Sequence, residues 1–315
     1  MVRITIVPAS TKTGAATIRC LLAPAPAAEP FEVHALYRNL DKVPPEFARD
    51  PRFRAHRADV SGPAALDLAG SDAVLAITPP VLDGRDMVAH AELASNKVKD
   101  AIQRSGTVKR LVLLSSVGAQ HDTGVGEIKC NNIAERVLAT TAVPSISFVR
   151  CAYFMENWAT GLETLQSPQP FFFSTITPLE WKLPMVAVDD IGSALAAELL
   201  KPAPSAPPTE PHVFELHGPR WYSPLDVQAA LSAALGRQVA VKPVEPHELH
   251  AFFAKVFPPK VVGEWVEMAV SFLPGGIMPP DKMGDDGVDV VRGPTELQSS
   301  VRQWLEASAA VADRG

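Results

Sequence analysis

The alternation of short apolar runs with helical segments constrains the fold of this chain more than any other feature. Residues 109–119, KRLVLLSSVGA, form an almost continuous apolar run that ends in small polar residues. Strands that are apolar on both faces belong to parallel sheets covered by helices on both sides. Similar runs occur at 4–9, 31–38, 53–60, 73–80 and 145–154, and helices are predicted at 14–22, 84–105 and 125–140. This alternation predicts a doubly wound α/β sheet.

Beyond residue 156 the alternation becomes looser, and aromatic residues become more frequent. Residues 183–200 predict a strand followed by a helix, with Asp189 or Asp190 as its N-cap. Further strands are predicted at 212–218 and 239–244, and further helices at 224–235, 247–256 and 294–309. The second half of the chain is therefore expected to be α+β-like.

The bulk composition excludes several classes of function. With 47% hydrophobic and 20% charged residues, the chain is typical of a soluble globular protein, and no apolar run approaches the ~18 residues of a membrane span. The net charge of −6 argues against direct nucleic-acid binding, which needs a basic surface. Because the residues after Met1 already form a predicted strand, we expect no signal peptide and a cytoplasmic location. The proline-rich segments 23–30 and 201–211 are predicted to be surface loops.

The positions of cysteine and histidine predict neither disulfides nor a metal site. Cys20, Cys130 and Cys151 are few, scattered and set in apolar runs, so we expect buried thiols. His247 and His250 are the one histidine pair with ligand-like spacing, and they lack an evident third ligand. We therefore predict that the protein binds no metal.

The first turn of the chain has the spacing of a nucleotide-binding loop in which two glycines are replaced. Pro8-x-x-Thr11-x-x-Gly14 matches the spacing G-x-x-G-x-x-G after the first strand. Glycines in such a turn let the backbone approach a pyrophosphate, and the following helix N-terminus supplies N–H donors. Pro8 removes a backbone donor, and Thr11 places a branched Cβ at the point of closest approach. The turn thus indicates the fold more strongly than it indicates nucleotide binding.

Nine segments, this turn included, carry a resemblance to a known family. They are VPASTKTGAATIRCLL, ALYRN, ADV, AITPP, RLVLLSSVGA, AERVL, SFVRCAYFMENW, MVAVDDIG and YSPLDVQAAL, which occur in order over most of residues 2–235. On these segments the chain resembles the NmrA-like family of atypical short-chain dehydrogenases/reductases, in particular its divergent fungal members. The segment SFLPGGIMPPD in the C-terminal third matches only loosely.

The resemblance implies a Rossmann-like doubly wound parallel sheet with a smaller α+β C-terminal substrate-binding region. We predict a dinucleotide-binding domain at 1–155 and a mainly substrate-binding region at 156–315, from which segments can return to the sheet. A homodimer is compatible with this architecture.

The resemblance also implies an NADP(H) site. Arg38, at the end of the second strand, takes the position at which family members hold the 2′-phosphate, and its planar guanidinium suits phosphate. The other implied contacts are Ser10, Thr11, Lys12, Thr13 and Gly14 at the pyrophosphate, Asp59 and Val60 at the adenine, Thr78 and Pro79 at the nicotinamide ribose, and Ser115 after the fifth strand. The resemblance puts Ser115 or Ser116 at the usual serine position of short-chain dehydrogenases.

The Tyr-x-x-x-Lys pair of ordinary short-chain dehydrogenases is absent. No tyrosine lies between Ser116 and Tyr153, and the position that many atypical members give to lysine is Asn131 here, if the helix glutamate is Glu135. Lys129 is two residues away and therefore points about 200° around the helix from Asn131, so it replaces the missing lysine only if the helix begins after it. Asn131 can donate a hydrogen bond but is not a general acid.

Other residues remain candidates for the chemistry and for binding the substrate. Ser116, His121, Asn131 and Tyr153 are the candidate catalytic residues, with Ser116, His121 or water as the proton donor. The substrate-binding candidates are Phe154, Asn157 and Trp158, among aromatic residues suited to an apolar pocket.

We therefore predict an NADP(H)-dependent reductase of a small aromatic or polycyclic metabolite, in secondary metabolism. Two alternatives stay open. Pro8 and Thr11 favour an enzyme of the same fold that does not use the nucleotide, such as an isomerase, dehydratase or cyclase. The missing tyrosine and lysine favour a non-catalytic regulator that senses a dinucleotide, which is how the namesake of the family acts.

Overall fold

The computed structural model of the chain describes residues 1–24, 30–202, 210–279 and 287–312. The strands are β1 (Val2–Val7), β2 (Phe31–Tyr37), β3 (Phe53–Arg57), β4 (Ala73–Ile77), β5 (Arg110–Ser116), β6 (Ser145–Cys151), β7 (Tyr153–Phe154), β8 (Phe171–Ser174), β9 (Leu183–Val186), β10 (His212–His217), β11 (Trp221–Tyr222), β12 (Ala240–Pro243) and β13 (Asp289–Arg292). The helices are α1 (Lys12–Leu22), α2 (Pro45–Ala48), α3 (Met87–Ser105), α4 (Lys129–Leu138), α5 (Leu162–Leu165), α6 (Val188–Leu200), α7 (Pro224–Leu235), α8 (Leu249–Phe253), α9 (Pro259–Ser271) and α10 (Leu297–Ala312).

The main sheet has the order β13-β10-β6-β5-β4-β1-β2-β3, and every neighbouring pair is parallel. The strand order reverses between β1 and β4, which is the place where open α/β sheets bind ligands. Two small sheets, β11-β9-β7 and β12-β8, lie outside it. The predicted doubly wound, Rossmann-like parallel sheet is confirmed.

Apolar residues on both faces of the strands explain why helices cover the sheet on two sides. Strands β4 and β6 are buried along their whole length. On one face the strands pack with α1 and α6, and on the other they pack with α3 and α4. The five residues at helical spacing in the predicted helix 84–105 are all buried on α3, namely Met87, Ala91, Val98, Ala101 and Ile102.

The predicted N-cap of α6 is wrong. Asp189 and Asp190 lie inside the first turn, and the N-cap position is Ala187, whose side chain cannot accept a hydrogen bond. The carboxylate of Glu156 supplies the missing acceptor, since both of its oxygens lie 3.0 Å from the backbone nitrogen of Val188. The cap therefore comes from a distant segment, which a local pattern does not reveal.

Helix α9 was missed by the sequence prediction, and α8 is shorter than the helix predicted at 247–256. Two local signals mark α9 in retrospect. Pro259 occupies its first turn, where a missing backbone donor is tolerated, and Val261, Val262 and Ala269 form one buried face.

A second core holds the C-terminal part together. The side chains of β9, β11, α7 and α10 pack there around Tyr222 and Phe172, both of which are nearly inaccessible. The chain also returns to the main sheet, because β10 pairs with β6 and β13 pairs with β10.

Cys130 and Cys151 are buried thiols, as predicted, whereas Cys20 is only half-buried. Within the described ranges, no helix combines the length and the apolar character that a bilayer crossing requires.

Candidate functional site

A cleft of about 370 Å³ opens at the C-terminal edge of the main sheet, where β1, β4, β5 and β6 end. The predicted site residues that line it are Thr11, Lys12, Thr13, Thr78, Ser115, Ser116, Asn131, Tyr153, Phe154 and Asn157. The predicted residues that do not line it are Ser10, Gly14, Arg38, Asp59, Val60, Pro79, His121 and Trp158. The structure thus brings together residues that are separated by more than 140 positions in the chain.

The N-terminus of α1 forms one end of the cleft. Thr11 is the N-cap of this helix, and its Oγ1 accepts a hydrogen bond of 2.9 Å from the backbone N–H of Gly14. The hydroxyl of Thr11 is therefore turned back onto the helix. The backbone N–H groups of Lys12 and Thr13 have no acceptor in the described part of the chain, and the side chain of Lys12 is exposed. Free N–H donors, the helix dipole and a nearby ammonium make this end of the cleft suitable for an anion.

Gly14 is required by the close packing of the same turn. A Cβ at this position would lie 2.9 Å from the Thr11 Oγ1 atom and 3.0 Å from the Ala9 carbonyl oxygen. The surviving glycine of the motif thus allows the helix to start directly against the turn.

The residues expected around the adenine lie beyond the cleft, next to the ends of β2 and β3. Arg38 directly follows β2, is exposed, and forms no ion pair with any residue that the structure describes. The Oδ1 atom of Asp59 accepts the N–H of Ser61 at 2.8 Å, and its carbonyl accepts Nζ of Lys97 at 2.7 Å. Val60 is buried in the core. Arg38 and Arg57, the last residue of β3, are therefore both exposed cations without an ion-pair partner at this edge among the residues described.

A buried hydrogen-bond network supports the floor of the cleft. The guanidinium of Arg150 on β6 binds both carboxylate oxygens of Glu135 on α4, at 2.9 and 2.7 Å. The hydroxyl of Ser115 donates to the same carboxylate at 2.6 Å. Ser115 consequently ties β5 to α4 and also lines the cleft. Ser116 lines the cleft as well, and its hydroxyl donates to the carbonyl of Val117 at 3.0 Å.

Helix α4 begins at Lys129, so the sequence argument about this lysine is confirmed. Lys129 faces α9, where its ammonium lies 2.6 Å from the Glu264 carboxylate, and Asn131 lines the cleft. His121 lies in the loop after β5 and does not contribute to the lining. A cluster of three or more His, Cys, Asp or Glu side chains that could hold a metal does not occur among the described residues.

Tyr153 forms part of the apolar side of the cleft. Burial raises the pKa of Tyr153 to about 12, although a side-chain hydrogen bond with Asn157 opposes the shift. Its ring packs against Phe272, with 6.1 Å between the centroids, and against Trp158, at 5.8 Å. Trp158 is only 6% exposed and lies behind Tyr153, in contact with Phe172. It therefore supports the cleft wall from the core.

Helix α9 supplies the roof of the cleft. Trp265 and Met268 line the cleft from this helix, and Phe272 lines it from the residue that follows. The ring of Trp265 stacks on Phe257, with 4.4 Å between the centroids. The indole N–H of Trp265 is buried and has no acceptor in the described ranges.

Comparison of the sequence with known families decides the membership of the chain. Residues 2–276 match the NmrA-like family. The chain belongs to this family. The assignment confirms the predicted resemblance, and nothing in the match distinguishes a fungal branch.

Three known proteins illustrate the range of this NmrA-like chain's relatives. The NAD(P)H azoreductase of Xenophilus azovorans is 30% identical over 184 residues, which are 56% of this chain and 55% of that protein. The chain thus matches about half the length of this curated relative. The structure of the Citrobacter sp. triphenylmethane reductase complexed with NADP(H) has a TM-score of 0.68 at 18% identity, covering 95% of this chain and 99% of that one. NmrA, a negative transcriptional regulator crystallised with NAD, has a TM-score of 0.66 at 19% identity, covering 98% and 97%.

The sequence prediction of this NmrA-like protein did not name Glu127, a cleft residue that carries a carboxyl group. Glu127 lies in the single turn of 3₁₀ helix at 126–128 that leads into α4, and its side chain lines the cleft. Burial raises its pKa from the ordinary 4.5 to about 7. The sequence did contain a signal for Glu127. It precedes Asn131 by four residues, as the tyrosine precedes the lysine in the Tyr-x-x-x-Lys pair that this chain lacks.

Proposed function

We propose that this protein is an NADP(H)-dependent reductase of small aromatic or polycyclic molecules. The observation that carries the proposal is that the cleft described above has two kinds of lining. One end holds the N-terminus of α1, and the other is covered by aromatic and thioether side chains. An enzyme that reduces an apolar acceptor with a phosphorylated cofactor needs both environments side by side.

The residues present fit a dinucleotide that carries a 2′-phosphate. The free backbone N–H groups of Lys12 and Thr13 would hold the pyrophosphate, and Arg38 would hold the 2′-phosphate. Thr78 and Asn131 would contact the nicotinamide end, since both line the cleft beyond the helix N-terminus. When bound, the reduced nicotinamide supplies the hydride.

The chain itself orients the acceptor and excludes water. Trp265, Phe272 and Tyr153 provide flat apolar surfaces against which an aromatic ring can stack. The amide of Asn131 can fix a polar substituent. Helix α9 covers the cleft, so the reacting groups lie in a region of low water content.

The comparisons support a reductase over the alternatives. The azoreductase and the triphenylmethane reductase are named for the reduction of aromatic compounds, and the latter was crystallised with NADP(H). The location in the cytoplasm and the role in secondary metabolism stay predictions.

Calorimetric titration of NADPH and NADH tests the cofactor assignment. We expect Arg38→Ala to weaken NADPH binding by roughly 10- to 100-fold, the effect of one charge-assisted contact, and to leave NADH binding unchanged. Arg136→Ala, an exposed arginine on α4 outside the cleft, is the charge-matched control and should change neither affinity. Oxidation of bound NADPH by quinone, imine, carbonyl or azo acceptors then tests the reductase itself.

The same titration separates the two alternative functions. The absence of a tyrosine–lysine pair favours a regulator that only senses the dinucleotide, and NmrA, a negative transcriptional regulator, was crystallised with NAD. NADPH binding without turnover of any acceptor would support that function. The cap formed by Thr11 favours an enzyme without a nucleotide, and failure to bind either cofactor at millimolar concentration would support it.

A further inference from the structure

Glu127 is a carboxyl group in the cleft to which the proposed function gives no role. It lines the same cleft as Ser116 and Asn131, from the turn that leads into the helix carrying Asn131. In the part of the chain that the structure describes, its carboxyl accepts no hydrogen bond and forms no ion pair. A carboxyl group left without a protein partner in a ligand cleft is available to whatever binds there.

The charged groups around Glu127 do not neutralise it. On its own segment, the nearest cation is Lys129, whose ammonium is paired with Glu264 at 2.6 Å. From α9, the carboxylate of Glu267 accepts the backbone N–H of Gly126 at 3.0 Å and so adds negative charge nearby.

The remaining titratable groups near Glu127 and in the cleft also leave it without a counter-charge. The Cys130 thiol next to it is buried, and its pKa is raised to about 12, mainly by that burial. The cleft is also lined by Tyr153, whose pKa is about 12, by the Cys151 thiol, whose pKa is raised by burial, and by the exposed Lys12 at the N-terminus of α1. Desolvation under the roof thus acts on Glu127 unopposed and raises its pKa to about 7.

We propose, on the basis of the reductase function proposed above, that Glu127 donates the proton that completes the reduction of a neutral acceptor in this cleft. Hydride addition to one atom of a C=O, C=N or N=N bond breaks its π bond, and the electron pair moves to the second atom. That oxygen or nitrogen forms a bond to the proton as the O–H bond of Glu127 breaks. The nicotinamide is oxidised, the acceptor is reduced, and the Glu127 carboxylate then takes a proton from solvent.

Other cleft residues are less suited to this role. The hydroxyl of Ser116 donates to the Val117 carbonyl, and the phenol of Tyr153 is held by Asn157 with a pKa far above neutrality. His121 lies outside the lining. A proton donor is most effective when its pKa lies near the working pH, and among the cleft residues described Glu127 meets that condition.

The decisive experiment compares two classes of acceptor with wild-type protein and Glu127→Gln. A quinone or an azo compound needs a proton as well as a hydride. A triphenylmethane dye cation needs only the hydride, because addition to the cationic carbon gives a neutral product. We expect Glu127→Gln to lower kcat for the neutral acceptor by roughly 10²- to 10⁴-fold and to leave the cationic acceptor almost unchanged. Asp122→Asn, an exposed carboxylate in the loop before Glu127, should behave as wild-type with both.

A measurement without cofactor or acceptor accompanies the kinetics. In protein labelled with ¹³C at the glutamate carboxyl groups, we expect one resonance to titrate near pH 7 and to be missing from Glu127→Gln. Circular dichroism and the affinity for NADPH, both unchanged, would show that the variant is folded.

The outcomes separate the two proposals. Equal loss with both acceptors, or no loss with the neutral one, would overturn the role of Glu127 while the reductase function stands. A wild-type protein that binds NADPH and reduces neither acceptor would instead overturn the reductase function, and the role of Glu127 with it. A normal titration of Glu127 near pH 4.5 would also overturn its role, whatever the kinetics.

Discussion

The substitution Gly126→Ala is expected to lift helix α9 from the cleft, although Gly126 does not line the cleft itself. Gly126 has a φ of +57°, and a Cβ there would lie 1.9 Å from the carbonyl oxygen of Glu264 and 2.5 Å from the backbone nitrogen of Met268. Both atoms belong to the backbone of α9, so no change of rotamer relieves the contact. The two segments must separate by about 1.1 Å before the Cβ stands 3.0 Å from that oxygen.

Two contributions set the size of the effect. An alanine in the left-handed region costs about 1–2 kcal/mol, and overpacking against fixed neighbours adds about 1–3 kcal/mol. We therefore expect the free energy of unfolding to fall by roughly 2–5 kcal/mol. For 315 residues, an unfolding entropy of about 2.1 cal/mol/K per residue converts this loss into a fall of Tm of roughly 3–8 °C.

Thermal melting and ligand titration check this prediction. The affinity for an aromatic acceptor should fall because Trp265 and Met268 move with the helix, whereas the affinity for NADPH should stay close to that of wild-type protein. Gly263→Ala, on an exposed position of the same helix with no atom within 4 Å of the added Cβ, is the matched control. It should stabilise the protein by up to about 1 kcal/mol. If Gly126→Ala melts and binds the acceptor like wild-type protein, the packing argument is wrong.

Three further predictions concern carboxyl groups. The raised pKa of Glu127 contributes stability that is present below pH 4.5 and is lost as the pH rises to about 7. In urea unfolding, we therefore expect the free energy of unfolding of Glu127→Gln to rise relative to that of wild-type protein by up to roughly 3 kcal/mol between pH 4 and 8. A parallel pH dependence of the two proteins would contradict this. Glu135→Ala removes the carboxylate that holds the buried Arg150 and should cost roughly 3–5 kcal/mol of unfolding free energy, and a loss below 1 kcal/mol would refute it. Glu156→Ala removes the cap of Val188 and should cost roughly 1–2 kcal/mol in the same assay, with no change in NADPH affinity.

The elements that depend on local pattern were predictable from the sequence. The apolar run at 109–119 gave the buried strand β5, and helix α3 starts at Met87, close to the predicted 84. The N-terminal end of the cleft was also within reach, because the turn and its helix are contiguous in the chain, and Thr11, Lys12 and Thr13 line the cleft as expected.

The parts of the site that depend on distant contacts were not predictable. The roof rests on the packing of Gly126 against Glu264, and the cap of α6 rests on Glu156, more than thirty residues away from Val188. The unusual pKa of Glu127 is a product of the roof, since burial is its sole cause. Trp158 was predicted to bind the substrate and instead packs in the core. The ring of Tyr153 occupies the cleft wall in front of it, and the sequence does not show which of the two rings faces the cleft.

The position of α9 in chain order determines how this architecture can diversify. The helix follows β10 and precedes β13, and these two strands pair with each other in the sheet that forms the floor of the cleft. A C-terminal truncation that removes α9 therefore also removes the edge strand β13. A change of substrate preference is most readily made by replacing the segment between β10 and β13, because both ends of that segment lead into neighbouring strands of the sheet.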